Sequence, residues 1–318
     1  MPCGFRYSCS MAEIPTTRGI RRLDLAAPQE LARLANLELV ARGVVEGFLI
    51  GLHRSPHRGF SVEFAEDRPY GPGDDARFMD WKVYGRTDRL FIKQFEEETN
   101  LRAYLLLDVS RSMGWSSDPD RIPSKLDYAR LLAASLSLLL VRQGDAAGLL
   151  TFDERVQTHI DPRGARTHWR RMVNELAAAR VGGQTNAGSA LQEIAGRMRR
   201  RGLVILVSDL LVDSPTTRTA IRFLRHRGHE VLLFHLLDPG ERELPAAGEA
   251  IFFDPETGEE LEANSATLRR EYREAVTRSI DGWRREAAGC GAEYCLVSTD
   301  APLASALLTY LRKRARLS

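Results

Sequence analysis

The chain has 318 residues, 43% of them hydrophobic and 28% charged, with a formal net charge of +2. That length buries one large or two modest cores, and the composition is that of an ordinary soluble globular protein. The near-neutral balance excludes a global basic field for nucleic acid; only Lys82, Lys93, Lys125 and Lys313 among the 45 basic residues are lysines, and no function follows from that bias.

Residues 1–27 read as a tail. They hold no apolar core of signal-peptide type, and Met11 is an alternative start. Residues 28–100 read as an accessory segment. From Pro28 to Gly47, apolar residues recur at helical spacing (Leu31, Leu34, Leu37, Val40, Val44, Phe48), which predicts one amphipathic helix. Gly51 to Gly59 is rich in Gly, Pro, His and Arg. His53 and His57 lie four apart there, but Pro56 between them argues against a helical metal pair. A strand-like run follows at Phe60 to Phe64. Arg68 to Trp81 packs turn residues, charges and aromatics together, and Trp81 and Tyr84 read as core anchors. Leu90 to Glu98 looks extended.

From Leu101 onward, apolar strands alternate with amphipathic helices, the pattern of an α/β parallel sheet. Strands are predicted near 103–108, 146–152, 155–160, 203–208, 230–236 and 292–297. Helices are predicted near 124–143, 166–179, 187–200, 215–228, 265–289 and 301–316. Only Asp153-Glu154 separates the second and third strands, too short for a crossover, so they form an antiparallel hairpin. Glu249 to Leu261 predicts another, turning at Glu256 to Gly258. The apolar stretch from Leu131 to Val141 is interrupted by serines and too short to span a bilayer. Cys3, Cys9, Cys290 and Cys295 lie at the two ends without zinc spacing and read as free thiols. A cytoplasmic protein is expected.

The chemistry concentrates where strands end. Tyr104 to Asp108 is an apolar run closed by a carboxylate, and the hydroxyls of Ser110 and Ser112 follow at alternate positions. Alternate residues of an extended loop turn to one side, so Asp108, Ser110 and Ser112 converge. Oxygen-only ligation suits a hard divalent cation such as Mg²⁺, or equally Mn²⁺ or Ca²⁺. Two of the three donors are neutral, so much of the cation's charge stays available to an outside carboxylate. Gly182 to Asn186 adds Thr185 in a glycine-led loop. Leu203 to Asp209 is a second apolar strand ending in a carboxylate, and strand C-termini of a parallel sheet line one crevice.

A mixed sheet with this order of elements resembles the von Willebrand factor A domain. Asp108, Ser110, Ser112, Thr185 and Asp209 match every position of its metal-ion-dependent adhesion site. Upstream, Glu63-Phe64, Arg68, Tyr70, Pro72 to Asp75, Arg77, Asp80-Trp81, Lys93 and Phe95 resemble the signature of the bacterial domain-of-unknown-function 58 (DUF58) family. Phe253 to Gly258 and Tyr272 also fit, so the resemblance covers roughly residues 30 to 315. It implies a Rossmann-like, mostly parallel sheet flanked by helices over 101–318, preceded by the accessory helix and β segment. It further implies association with a MoxR-type AAA+ ATPase or its client, in a chaperone-like or maturation role. Longer members of the family carry N-terminal transmembrane helices; this sequence shows no such stretch, so a membrane role is not expected.

Three functions compete. The first is a non-catalytic module that captures an Asp or Glu of a protein partner through the metal. The second is a metal-dependent hydrolase or phosphotransferase with Asp108 as phosphoryl acceptor, but Ser110 stands where such enzymes need an acid/base. The third is nucleic-acid binding through two arginine clusters (163, 166, 170, 171 and 197, 199, 200, 201), which lack an accompanying aromatic stacking set. The first is the reading adopted, without nucleic acid or a membrane span.

Overall fold

The structure, a computed structural model, describes residues 36–54, 68–69, 84–85, 90–92, 101–183, 187–198, 200–211, 215–244, 249–253 and 260–314. Helix α1 spans Leu37–Arg54. The Asn36 side chain accepts from Leu39 N at 3.0 Å and caps it. Val40, Ala41, Val44, Val45 and Phe48 are buried, as the periodicity requires. The helix runs past its expected end at Gly47, to Arg54. A helical glycine costs only about 1 kcal/mol, and no proline intervenes before Pro56. The expected helical start at 28–35, the run at 60–64 and the hairpin turn at 256–258 lie outside the described residues. Arg68–Pro69 (β1) pairs antiparallel with Phe91–Ile92 (β2).

The main sheet has six strands: β3 Arg102–Asp108, β4 Ala146–Phe152, β5 Val156–Arg163, β6 Leu203–Ser208, β7 Glu230–Leu237 and, after the small antiparallel pair β8 Glu249–Phe253 and β9 Glu260–Asn264, β10 Glu293–Ser298. The order is β10-β7-β6-β3-β4-β5. Every neighbouring pair is parallel except β4 and β5, the predicted hairpin. The remaining helices are α2 Lys125–Arg142, α3 Arg166–Ala178, α4 Ala187–Arg197, α5 Pro215–His226, α6 Pro239–Arg242, α7 Ser265–Cys290 and α8 Leu303–Arg314.

Successive side chains of a strand point to opposite faces, and β3 shows the consequence. Leu105 and Leu107 enter one core with α1, α2, α3 and α8. Tyr104 and Leu106 enter a second core with α4, α5 and α7. Helix α2 is apolar nearly all round because the sheet, α1, α3 and α8 enclose it. The fold is thus the von Willebrand factor A-like α/β sheet that the sequence predicts. From β3 the chain moves to β4 on one side and later returns to β6 on the other. The crevice for ligands in such a sheet opens where strand order reverses, at the C-terminal ends of β3 and β6. Among the described residues, no helix is long and apolar enough to cross a membrane.

Candidate functional site

Parallel pairing of β3 with β6 sets Leu107 beside Val207, so the residues that follow, Asp108 and Ser208, meet at the sheet's C-terminal edge. Ser208 Oγ donates to Asp108 Oδ2 at 2.7 Å. Ser110 N donates to Asp108 Oδ1 at 2.9 Å. The Ser110 and Ser112 hydroxyls lie 3.1 Å apart. Asp108, Ser110, Ser112, Ser208 and Asp209 are all buried. Burial pushes the Asp108 carboxyl up to about 7, and the neighbouring Asp209 adds to the rise. Sequence reasoning expects an extended loop here. Instead Ser110 precedes a single 3₁₀ turn, Arg111–Gly114, that contains Ser112. Met113, fully buried, anchors that turn, and the two hydroxyls converge all the same.

Asp209 has its own environment. Its Oδ2 accepts from Lys125 Nζ at 2.8 Å, and the same ammonium bonds Glu241 Oε1. Lys125 is fully buried at the first position of α2. Burial alone would lower its pKa, but Asp209 and Glu241 outweigh that and hold it above the ordinary lysine value. Asp209 thus has a buried counter-ion of its own. Glu241 is fixed in turn: its Oε2 accepts from Asp238 N at 2.9 Å in a capping box of α6. Asp238 Oδ2 accepts from Ser117 N at 3.1 Å, returning to the loop after Ser112. His235 is neutral because burial lowers its pKa to about 4, against the opposing charge of nearby Asp209, and its Nδ1 lies 2.7 Å from the Tyr294 hydroxyl. Leu210 has φ 48°, in the left-handed region that leucine rarely enters, and its N donates to Ser208 Oγ at 3.0 Å.

The third loop docks on the first. Gly182 N donates to the Val109 carbonyl at 2.7 Å, and Arg111 N to the Gly183 carbonyl at 3.1 Å. Asp153 supports this arrangement: its Oδ2 accepts from Gly183 N at 3.1 Å while Gln157 Nε2 and Arg155 N hold its carboxylate. A Cβ on Gly182 would lie 2.2 Å from Asp153 Oδ2, so a larger residue here would have to displace that carboxylate. Thr185 itself lies outside the described residues, two positions beyond Gly183.

Of the five expected site residues, Asp108, Ser110, Ser112 and Asp209 come together around the ends of β3 and β6. Sequence reasoning missed Lys125, Ser208, Asp153 and Glu241. Only Glu241 left a local signal, the Asp238-Pro-Gly-Glu241 spacing of a capping box with proline at its first helical position. No group of three or more His, Cys, Asp or Glu side chains able to hold a metal gathers among the described residues. The donors offered are two carboxylates beside neutral hydroxyls, a hard oxygen set that fits Mg²⁺, Mn²⁺ or Ca²⁺ and not a soft-ligand metal.

The α/β fold is von Willebrand factor A-like, and a cluster of carboxylates and hydroxyls stands at the sheet's switch point. A family model described as "Protein of unknown function DUF58" matches residues 66–281, and the chain belongs to that family. The uncharacterized protein Rv1480 of Mycobacterium tuberculosis is 30% identical over 299 residues, covering 93% of each chain. The uncharacterized protein YeaD of Bacillus subtilis is 25% identical over 161 residues, 49% of this chain and 37% of that protein. Among solved structures, the conserved hypothetical protein BatB from Bacteroides thetaiotaomicron is 18% identical, with TM-score 0.46, covering 68% of this chain and 99% of that one.

Proposed function

We propose that the chain is a non-catalytic interaction module that uses a divalent cation, Mg²⁺ by preference, to capture an acidic side chain of a protein partner. Asp108, Ser110, Ser112 and Thr185 would hold the ion, with Asp209 set behind them. The observation that carries this reading is the asymmetry of the two carboxylates. Asp209 is matched by Lys125, whereas the partners of Asp108 among the described residues are neutral hydroxyl and amide donors. When bound, the ion supplies positive charge and an open coordination position. The chain's own residues do the rest: Ser208 and the Ser110 amide orient Asp108, and Lys125 keeps Asp209 from adding a second full negative charge.

A second feature favours a protein as the ligand. Trp115, Val181 and Leu211 flank the three loops and are 39%, 42% and 53% exposed. Apolar side chains at the border of a polar centre suit a protein surface, which they desolvate around the central contact. The family resemblance adds the partner's class, a MoxR-type AAA+ ATPase or one of its clients.

Calorimetry with Mg²⁺ on the wild type, Asp108→Ala and Asp209→Asn tests the site. Asp108→Ala abolishes binding and Asp209→Asn weakens it less. Equal affinity in wild type and Asp108→Ala sinks the assignment. Pull-down with the candidate ATPase, with and without EDTA, tests capture. A complex indifferent to EDTA and to Ser112→Ala rules it out.

A further inference from the structure

The opposite end of the sheet carries a second feature. A cleft of about 910 Å³ opens there, lined by Arg102, Arg163, Arg197 and Arg200 around Tyr104, Asp161 and Pro162. Four separate places in the chain supply the arginines: the first residue of β3, the last of β5, the last of α4 and the loop before β6. One member of the first arginine cluster, Arg163, and two of the second, Arg197 and Arg200, thus meet in one concavity. The strand length of β3 separates it from Asp108 by on the order of 20 Å.

Two local devices build this cleft. Ala147 faces Arg163 and Leu149 faces Ile160, so Gly148 alone stands opposite Asp161 and Pro162. That is a bulge on an edge strand, which re-aims the side chains beyond it. It needs glycine on β4, since a Cβ at 148 would lie 2.7 Å from the Ile160 carbonyl oxygen. From the neighbouring helix, buried His168 braces the bulge with Nε2 3.0 Å from the Ala147 carbonyl. On the other side, a Cβ at Gly202 would lie 2.1 Å from the Arg102 carbonyl oxygen, and this close approach brings the Arg200 loop against the start of β3. The Arg102 charge lies near enough to the Tyr104 hydroxyl to oppose the rise in its pKa that burial causes.

Charge selects the ligand. Glu193 on the same helix pairs with Arg197, which leaves Arg102, Arg163 and Arg200 around one carboxylate, Asp161, whose Oδ1 lies 3.2 Å from His159 Nε2. Neither Arg163 nor Arg200 forms a salt bridge among the described residues. Guanidinium forks bind phosphate in pairs of parallel hydrogen bonds, and several converging forks match an anion with several charges. We propose that this cleft binds a compact polyphosphate, the chemistry shared by inorganic tripolyphosphate and the phosphate chain of a nucleoside triphosphate. Its volume is within the range of small-molecule sites. An extended nucleic acid fits less well: Tyr104 is only 6% exposed, so it offers no face for stacking bases.

Titration calorimetry of the full chain at low salt, with tripolyphosphate and separately with ATP, tests the site. One tripolyphosphate binds per chain, and Arg163→Ala and Arg200→Ala each weaken it about tenfold. Both residues are exposed, and unchanged melting temperatures verify that the variants fold. Arg222→Ala, which removes an exposed arginine from α5, leaves binding unchanged, as does Asp108→Ala at the other end of the sheet. ATP equal to tripolyphosphate makes the phosphate chain the recognised element; tighter ATP adds a contact to the nucleoside, and both outcomes support the site. No saturable binding, equal affinity in the Arg163→Ala/Arg200→Ala variant, or displacement by a tighter-binding single-stranded oligonucleotide overturns it.

Discussion

The ammonium of Lys125 lies 2.8 Å from Asp209 Oδ2, inside the protein and 84 residues away in sequence. With Glu241 on its other side, this one cation ties the start of α2 to the loops after β6 and β7. A buried ion of this kind contributes little net stability when satisfied, but removing one member leaves the others unpaired in low dielectric.

Lys125→Met is therefore expected to cost about 3–5 kcal/mol in urea denaturation. Adding Asp209→Asn to it should recover part of that loss, because one of the stranded charges disappears. A double variant as unstable as the single one would show that packing, not charge, sets the cost.

Gly182→Ala places a methyl group where Asp153 Oδ2 now sits. The Asp153 carboxylate is held from three directions and has nowhere easy to go. We expect a loss of about 1–3 kcal/mol, typical of forced overpacking, with weaker Mg²⁺ binding because the loop toward Thr185 lifts from Arg111. Wild-type calorimetry in this variant would contradict the coupling of the two loops.

Chelation should act locally. Hydrogen exchange at 109–117 and 181–183 is expected to speed up in EDTA and slow again with Mg²⁺, while β3, β6 and α2 stay protected by their burial. Global exchange on chelation would mean that the ion holds the core itself.

His168 gives the pH dependence a sign. Burial first, then Arg163 and Arg171, hold its pKa below the ordinary 6.5. The unfolded chain therefore binds this proton more readily than the folded one. Its contribution to stability is complete above pH 6.5 and declines as pH falls through the folded value. His168→Gln should flatten the acid side of the stability curve relative to wild type, measured by urea midpoints between about pH 4 and 7. An unchanged slope would remove His168 from the acid response.

Trp115→Ala removes an exposed ring at the border of the candidate site. Partner binding should weaken by about 1–3 kcal/mol, as for an aromatic interface anchor, with Mg²⁺ affinity unchanged. A parallel loss of both would place Trp115 in the metal site's architecture and not in the docking surface.

Much of this molecule is readable in the chain because its signals are local. Apolar runs of strand length separated by amphipathic periods identify the sheet and its helices, and Asp153-Glu154 is short enough to force the β4–β5 hairpin. Asp108 and Asp209 are visible because each directly ends such a run. The end of α1 is less legible, since single glycines such as Gly47 and Gly51 are weak breakers and the helix runs on to Arg54.

The rest depends on contacts between distant residues. Nothing around Pro123-Ser-Lys125 announces a buried cation; it becomes one only when α2 packs across the sheet and brings Lys125 to Asp209 and Glu241. The pairing of Asp108 with Ser208 follows from the register of β3 on β6, which no local pattern encodes. Arg163 and Arg200, from different arginine clusters, come to one cleft only through the Gly148 bulge and the close approach at Gly202. The sequence by itself determined the elements and the carboxylates at their ends. Tertiary structure alone decided which charge is neutralised and which remains, because a charge's partners are set by distance in space.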